Sequence, residues 1–159
     1  MSDDRCLAAV EPESGPGADL GPLPEWDLTD LYPTPDSKAL KDALEAAAAD
    51  AKVFAKQFRT KVAALDGDSL GAAVAAYERI DETLSRVMSY AQLLHSKNLE
   101  DPEIGKFYQG VHERVTDIAS DLLFFTLELN LIEPADMEVK LRAPALARYA
   151  SWVENSRAF

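Results

Sequence analysis

Cysteine is nearly absent from this chain and basic residues are outnumbered by acidic ones, and each of these shortages excludes a class of protein or partner. The one cysteine, Cys6, has no partner for an internal disulfide, so a disulfide-stapled scaffold is excluded. The chain has 16 lysines and arginines against 28 acidic residues, a formal net charge of −12. Nucleic acids and anionic membranes bind proteins through a basic face, so neither is expected as a partner. No apolar run approaches the roughly 18 residues that a membrane span requires.

The residues that are abundant point to a helical domain. Apolar residues make up 47% of the 159 residues, which is enough for a packed core in one domain. A chain of this length buries roughly two thirds of its unfolded surface. Alanine is common while glycine occurs 7 times. This balance favours helix over sheet.

The first thirty residues differ from the rest in charge and proline content. They hold eight acidic residues against Arg5 alone, and six of the nine prolines fall within the first 35 residues. This composition predicts a disordered acidic leader over residues 1–22. An acidic start also lacks the basic and apolar regions of a signal peptide, so a cytoplasmic location is predicted.

Cap signals divide the remainder into helices. The segment Thr34–Asp36 (TPD) predicts the first helix, with its threonine as N-cap and its proline at the first helical position. The segment Asp66–Asp68 (DGD) is expected to end that helix and cap a second one, which ends near residue 98. A third helix is predicted to begin at Asp101–Glu103 (DPE), and Pro134 and Pro144 open two shorter segments.

Apolar residues recur at spacings of three and four, which is the period of one helical face. The first stripe consists of Leu40, Leu44, Ala47, Ala51, Phe54, Phe58, Val62 and Leu65. The second consists of Leu70, Val74, Tyr77, Ile80, Leu84, Val87, Ala91 and Leu94. The third consists of Ile104, Phe107, Val111, Val115, Ile118, Leu122, Phe125 and Leu129, and the last segment carries Leu146, Tyr149, Trp152 and Val153. Because the connections are short, we expect an all-α fold, an antiparallel helical bundle preceded by the leader.

The second half of the third helix is apolar on more than one face. Besides the core stripe, Leu123, Phe124, Leu127 and Leu131 extend the apolar surface around the helix. A helix of this kind is typical of a larger body with neighbours on several sides. We therefore expect the isolated chain to self-associate and to bind a hydrophobic dye.

The hexapeptide at residues 111–116, VHERVT, is one residue short of the H-E-x-x-H motif of zinc peptidases. Thr116 stands where the second histidine ligand belongs, and a neutral hydroxyl is a poor replacement for imidazole. The spacing instead places His112 and Glu113 beside a core stripe. The only other histidine, His95, lies near the end of the second helix, where the helix dipole favours a cation. We predict no metal site here.

Other catalytic and binding patterns are equally incomplete. A di-iron bundle needs Glu-x-x-His, but glutamines (Gln92 and Gln109) precede the two histidines by three positions. The segment Asp66–Asp68 resembles part of a calcium loop but lacks the terminal glutamate of that pattern, and as a cap and turn it needs no metal. The sequence contains no glycine-rich phosphate loop and gives no support for a Ser-His-Asp triad. It therefore predicts no catalytic, metal-binding or cofactor-binding residue in this chain.

Four segments, in order, resemble one family of enzymes. They are LPEWDLTDLYP (residues 23–33), YERIDETLSRVMSYAQLL (77–94), ERVTDIASDLLFFTLELNLI (113–132) and LARYASWVENSRAF (146–159). Together they resemble the N-terminal helices of oligoendopeptidase F, in the M3 family of zinc peptidases. The resemblance covers residues 23–159, which is nearly everything outside the leader.

The resemblance implies a function that the residues alone do not. Members of the family are longer, cytoplasmic zinc enzymes that hydrolyse short peptides. Their N-terminal lobe walls a substrate channel, while H-E-x-x-H and a further glutamate lie in a C-terminal catalytic domain. No position here matches that motif, so no catalytic or metal residue is carried over. The implied partners are short peptides and the missing catalytic domain, with zinc bound by the full-length protein.

The last predicted stripe, over residues 146–153, is followed by SRAF without a helix cap or polar tail. We therefore expect residues 23–159 to be an N-terminal lobe truncated before its catalytic domain and inactive alone. The alternative is a stand-alone helical interaction module that binds a partner helix through apolar faces and has no enzymatic activity.

Overall fold

The computed structural model describes residues 25–157, and their regular secondary structure is entirely helical. The helices are α1 (Lys38–Phe58), α2 (Gly67–Lys97), α3 (Pro102–Leu131), α4 (Pro134–Lys140), α5 (Pro144–Ala147) and α6 (Ala150–Ser156), with a 3-10 turn at Val62–Ala64. The predicted all-α fold is confirmed. The leader predicted at residues 1–22, including Cys6, lies outside the described residues. No helix within the described range has the length and apolarity of a membrane span.

The predicted starts of α2 and α3 are confirmed by their capping hydrogen bonds. The Asp66 carboxylate accepts a hydrogen bond from the backbone N–H of Ser69 at 2.7 Å. The Asp101 carboxylate accepts one from the backbone N–H of Glu103 at 2.9 Å, and Pro102 occupies the first helical position. Each carboxylate satisfies an amide that has no partner inside its helix.

The start predicted for α1 is wrong by three residues. The N-cap is Ser37 rather than Thr34, and its hydroxyl accepts a hydrogen bond from the backbone N–H of Leu40 at 3.4 Å. The backbone N–H of Ser37 donates to the carbonyl of Thr34 at 3.1 Å, which closes a turn. Proline and aspartate at the two central positions suit a β-turn as well as a first helical turn. The turn forms, and the helix begins after it.

The end of α1 also differs from the prediction. The helix stops at Phe58 instead of continuing to Leu65, and Thr60 has a left-handed backbone with φ of 68°. The Glu128 carboxylate on α3 accepts the backbone N–H groups of Thr60 at 2.6 Å and Val62 at 3.3 Å. Val62 is buried, as the predicted stripe requires. The interruption of the helix between Phe58 and Val62, however, is held by Glu128, which belongs to α3.

The core consists of two clusters at opposite ends of the long helices. The smaller cluster joins the start of α1, the end of α2 and the start of α3; among its members are Leu40, Tyr90 and Val111. The larger cluster joins the end of α1, the start of α2 and the end of α3; among its members are Phe54, Leu70 and Phe125. This pairing of ends is what the predicted antiparallel packing of successive helices would produce. All four predicted stripes supply buried residues to these clusters.

The three short helices close the larger cluster. A Cβ atom added to Gly71 of α2 would lie 2.5 Å from the carbonyl carbon of Ala145 in α5, so the two backbones are in close contact. The Arg157 guanidinium, after α6, donates to the carbonyls of Leu129 at 2.6 Å and Ile132 at 2.5 Å. These contacts hold α5 against α2 and the last described residue against the end of α3.

The segment predicted after Pro144 is two helices rather than one. The break falls at Tyr149, whose backbone N–H donates to the carbonyl of Leu146 at 2.8 Å, a bond that spans three residues instead of four. Leu146 and Val153 are both buried on either side of this break. The kinked backbone thus lets α5 and α6 each place one apolar residue in the larger cluster.

Candidate functional site

The polar residues of the VHERVT hexapeptide lie on a solvent-exposed face of α3, while its Val111 belongs to the core. His112, Glu113 and Thr116 are all exposed. The Thr116 hydroxyl donates to the carbonyl of His112 at 2.8 Å, and the Gln109 amide donates to the Glu113 carboxylate at 3.0 Å. Among residues 25–157, no three histidine, cysteine, aspartate or glutamate side chains are grouped so that they could hold a metal ion. Both hydrogen bonds are ordinary contacts between neighbouring residues on a helix surface. The absence of bound zinc stays a prediction.

The second histidine makes an aromatic contact that the sequence did not predict. His95 lies in the last turn of α2, as expected. Its ring stacks on Tyr108 of α3, with centroids 5.0 Å apart and planes 15° apart, and Tyr108 is in turn 6.3 Å from the His112 ring. The Nδ1 atom of His95 is enclosed and has no hydrogen-bond partner. These contacts join the end of α2 to the first half of α3.

The DGD segment functions as a helix cap. Hydrogen bonds from Ser69, chiefly from its backbone N–H, hold the pKa of Asp66 below its usual value. A carboxylate that accepts these bonds already has the local partners that stabilise its charge. The structure thus supports the capping interpretation of this segment.

The outward face of α3 changes character along its length. In the first half this face carries Gln109, Glu113 and Thr116, all exposed. In the second half it carries an outer leucine stripe, which we define as Leu123, Leu127 and Leu131, with exposures of 57%, 55% and 79%. The last leucine follows the first by eight positions, a rise of about 12 Å along the helix. The predicted spread of apolar residues around the helix is therefore confirmed.

The surroundings of the outer leucine stripe are already occupied by internal contacts. Phe124 is half-buried, and the Arg59 guanidinium lies over its ring, 5.2 Å from the centroid. The Glu128 carboxylate is engaged with the turn after α1. Arg157 binds the carbonyls at the Leu131 end of the helix. The stripe is thus an apolar surface bordered by groups that have found partners, which suits it to contact with another apolar surface.

No protein-family model matches this chain, and neither a curated protein nor a solved structure shows significant similarity to it.

Proposed function

We propose that residues 23–159 form the N-terminal helical lobe of a zinc-dependent oligoendopeptidase of the M3 family. Hydrolysis of short peptides belongs to the complete cytoplasmic enzyme, whose catalytic domain supplies the zinc ligands, the metal-activated water and the general base. The lobe walls the substrate channel. The lobe alone has no hydrolytic activity, because its sequence has no H-E-x-x-H motif.

Aromatic contacts between the four resembling segments carry this proposal. Tyr32, in the first segment, packs edge-on against Tyr90 in the second, with centroids 5.5 Å apart. Tyr77, also in the second, stacks on Phe125 in the third at 5.3 Å, and Phe125 stacks on Trp152 in the fourth at 6.5 Å. The segments on which the resemblance depends therefore pack against one another in one core, to which α1, outside all four segments, also contributes.

The outer leucine stripe supports the part of this proposal that places a further domain next to the lobe. Covering one leucine side chain stabilises a protein by about 1.5–3 kcal/mol, so three exposed leucines are a favourable surface for a further packed element. Arg157 holds the polypeptide next to the Leu131 end of the stripe. We assign the catalytic part of the same enzyme as the element that covers this stripe.

The decisive experiment begins with the DNA downstream of the codon for Phe159. We expect an open frame that encodes H-E-x-x-H and a later glutamate. The protein made from the whole frame should cleave quenched-fluorescent peptides, and a chelator should stop the cleavage. Replacing the glutamate of that motif with glutamine should abolish cleavage while leaving thermal melting unchanged. Residues 1–159 alone should leave the same peptides intact.

Two outcomes would overturn the proposal. One is a stop codon directly after Phe159, together with a cellular protein of the corresponding mass. The other is chelator-sensitive cleavage that stays with residues 1–159 through two independent purification steps.

A stand-alone interaction module is the second candidate, and closure of the core favours it. Among the described residues, no polar or charged side chain is buried. The three long helices also each begin with a side-chain cap. A bundle that buries no whole polar side chain and caps its long helices can fold without a further domain, and the Nδ1 atom of His95 is the one enclosed side-chain polar atom without a partner among the described residues. In this case a partner helix would cover the outer leucine stripe.

A further inference from the structure

A cavity of about 160 Å³ lies between α2 and α6. Its lining combines aromatic rings and carboxylates: Val74, Tyr77, Glu78, Asp81, Tyr149 and Trp152. We call it the aromatic–acidic pocket. Spacing alone assigned four of these residues (Val74, Tyr77, Tyr149 and Trp152) to apolar stripes, and none was predicted to line a binding site. The pocket exists because α6 folds back onto a helix about 70 residues earlier in the chain.

Two of the aromatic rings are fixed by the core beneath them. The Tyr77 and Trp152 rings lie 5.6 Å apart with an interplanar angle of 49°. Both also stack on Phe125, which is fully buried, with interplanar angles of 27° and 24°. Both remain half-buried rather than enclosed. Aromatic walls held by a rigid core need no reordering when a ligand arrives, which lowers the entropic cost of binding.

The carboxylates make the pocket negative. Glu78 and Asp81 are three residues apart on α2, so they share one side of the helix. The Tyr149 hydroxyl donates to Glu78 at 3.1 Å. Among residues 25–157, neither carboxylate forms an ion pair with a lysine, arginine or histidine. Burial raises the pKa of Tyr77, and the negative charge of Asp81 raises it further.

One of these rings, that of Tyr149, already has a cation over its face. The Arg148 guanidinium lies over the Tyr149 ring, 5.0 Å from its centroid. Aromatic faces attract cations through their quadrupole, and quaternary ammonium groups are recognised by aromatic cages on this basis. A pocket of this volume is smaller than the roughly 300–1,000 Å³ of sites for whole drug-sized ligands, so it suits a head group.

We propose that the aromatic–acidic pocket binds a small alkylammonium group. The ring faces contact the alkyl carbons around the nitrogen, and the carboxylates of Glu78 and Asp81 balance its charge. The ammonium group could be quaternary, as in choline, or primary, as in a lysine side chain, and the two are distinguished below. The site does not depend on the proposed peptidase function.

The test uses Trp152 as a reporter. The chain contains two tryptophans, so Trp26→Phe leaves Trp152 as the only one. Three compounds would each be titrated into this variant at constant ionic strength. They are choline, Nα-acetyl-lysine amide, which keeps the side-chain ammonium group, and 3,3-dimethylbutan-1-ol, the neutral isostere of choline. We expect a saturable change in Trp152 fluorescence with one or both cations and none with the neutral alcohol. A preference for choline would assign a quaternary group, and a preference for the lysine derivative a primary one.

A matched pair of variants tests the carboxylates. Glu78→Gln with Asp81→Asn should weaken cation binding by about threefold to tenfold, because exposed charges contribute modestly. Glu45→Gln with Asp117→Asn removes two exposed acids outside the pocket and should leave the affinity unchanged. Tyr149→Phe keeps the ring and should retain binding, whereas Tyr149→Leu should weaken it. Circular dichroism melts would verify that each variant is folded.

Three results would overturn the proposal: no saturable change with either cation, an equal response to the neutral alcohol, or equal weakening by both carboxylate pairs. The comparison of choline with its isostere requires only the Trp26→Phe background. It therefore decides the question even if a pocket variant fails to fold.

Discussion

The two halves of α3 have similar inward faces and different outward ones. On the inward side both halves supply buried residues to the core, Val111 in the first half and Phe125 in the second. On the outward side the first half is polar, while the second half carries the outer leucine stripe. The inward pattern follows from folding, which every helix of a bundle must satisfy. The outward pattern is not required for folding, so it is the more informative about function.

The polar half is satisfied within its own helix. The Gln109 side chain binds Glu113, and the Thr116 hydroxyl binds the carbonyl of His112, one turn earlier. The exposed leucines of the other half have no such option, since only another apolar surface removes them from water. The first half is therefore a finished solvent face, and the second half is a surface suited to a neighbour.

The largest expected effect is a loss of stability on the inward side of the second half of α3. Phe125 is fully buried and contacts aromatic rings from three other helices, the closest being Phe54 at 5.1 Å. Phe125→Ala should lower the free energy of unfolding by about 3–5 kcal/mol, because it removes these contacts and leaves a cavity. Urea denaturation followed by circular dichroism measures the change.

The control for this variant lies two residues away in the same helix. Leu127→Ala should change the free energy of unfolding by less than about 0.5 kcal/mol, as is usual for exposed positions. A loss above about 2 kcal/mol would mean that Leu127 is covered within the bundle, and the contrast between the two sides would fail.

The second prediction compares two glycines. Gly71→Ala should lower the free energy of unfolding by about 1–3 kcal/mol, because its Cβ would lie within 2.8 Å of three backbone atoms of α5. Gly110→Ala, on the exposed side of the first half of α3, meets no atom within 4 Å and should raise stability by about 0.5–1 kcal/mol. Thermal melting of both variants measures the two opposite signs. A destabilising Gly110→Ala would show that the first half of α3 contacts another element.

Helix ends that are fixed by neighbouring residues were predicted from the sequence, whereas an end that is fixed by a distant residue was not. The starts of α2 and α3 were predicted because Asp66 and Asp101 cap amides only two or three residues away. The end of α1 was missed because the turn after it is held by Glu128, more than sixty residues along the chain. Periodicity located the buried side chains correctly on both sides of that break. It carries no information on backbone continuity, because a 3-10 turn can keep the next apolar residue buried.

The two candidate surfaces also differ in whether the sequence could predict them. The outer leucine stripe was predictable, since the leucines at residues 123, 127 and 131 follow one helical period within a single helix. The aromatic–acidic pocket was not, because Tyr149 and Trp152 reach Tyr77 only after α5 packs against Gly71. The stacking of His95 on Tyr108 has the same cause, a contact between two helices. Sequence patterns predict surfaces on one element and miss those built from several.

The third prediction addresses the outer leucine stripe directly. Changing Leu123, Leu127 and Leu131 to glutamine should alter the free energy of unfolding by less than about 1.5 kcal/mol in total, since each site is exposed. The same change should suppress self-association and binding of a hydrophobic dye, both of which we expect for the unaltered chain. Light scattering and dye fluorescence on one sample measure the two properties.

The matched control carries the same number of substitutions at scattered sites. Val53, Leu99 and Val139 are also exposed but lie on different elements, and changing them to glutamine should leave self-association and dye binding nearly unaltered. An unaltered chain that is monomeric and silent to the dye would contradict the prediction. It would also favour the stand-alone module, because the bundle would then tolerate the stripe in water.

The smallest expected effect concerns the polar half of α3. If that half is only a solvent face, His112→Ala should leave the zinc content unchanged. It should also change the free energy of unfolding by less than about 0.5 kcal/mol. Structural zinc sites hold their metal with four convergent ligands and catalytic sites with three, and an exposed imidazole beside a helix-bonded threonine supplies one. Metal analysis after dialysis against dilute zinc would compare the unaltered chain with the variant. One tightly held ion per chain that disappears on His112→Ala would restore VHERVT as a metal site. It would also reverse the comparison, making the polar half of α3 the functional one.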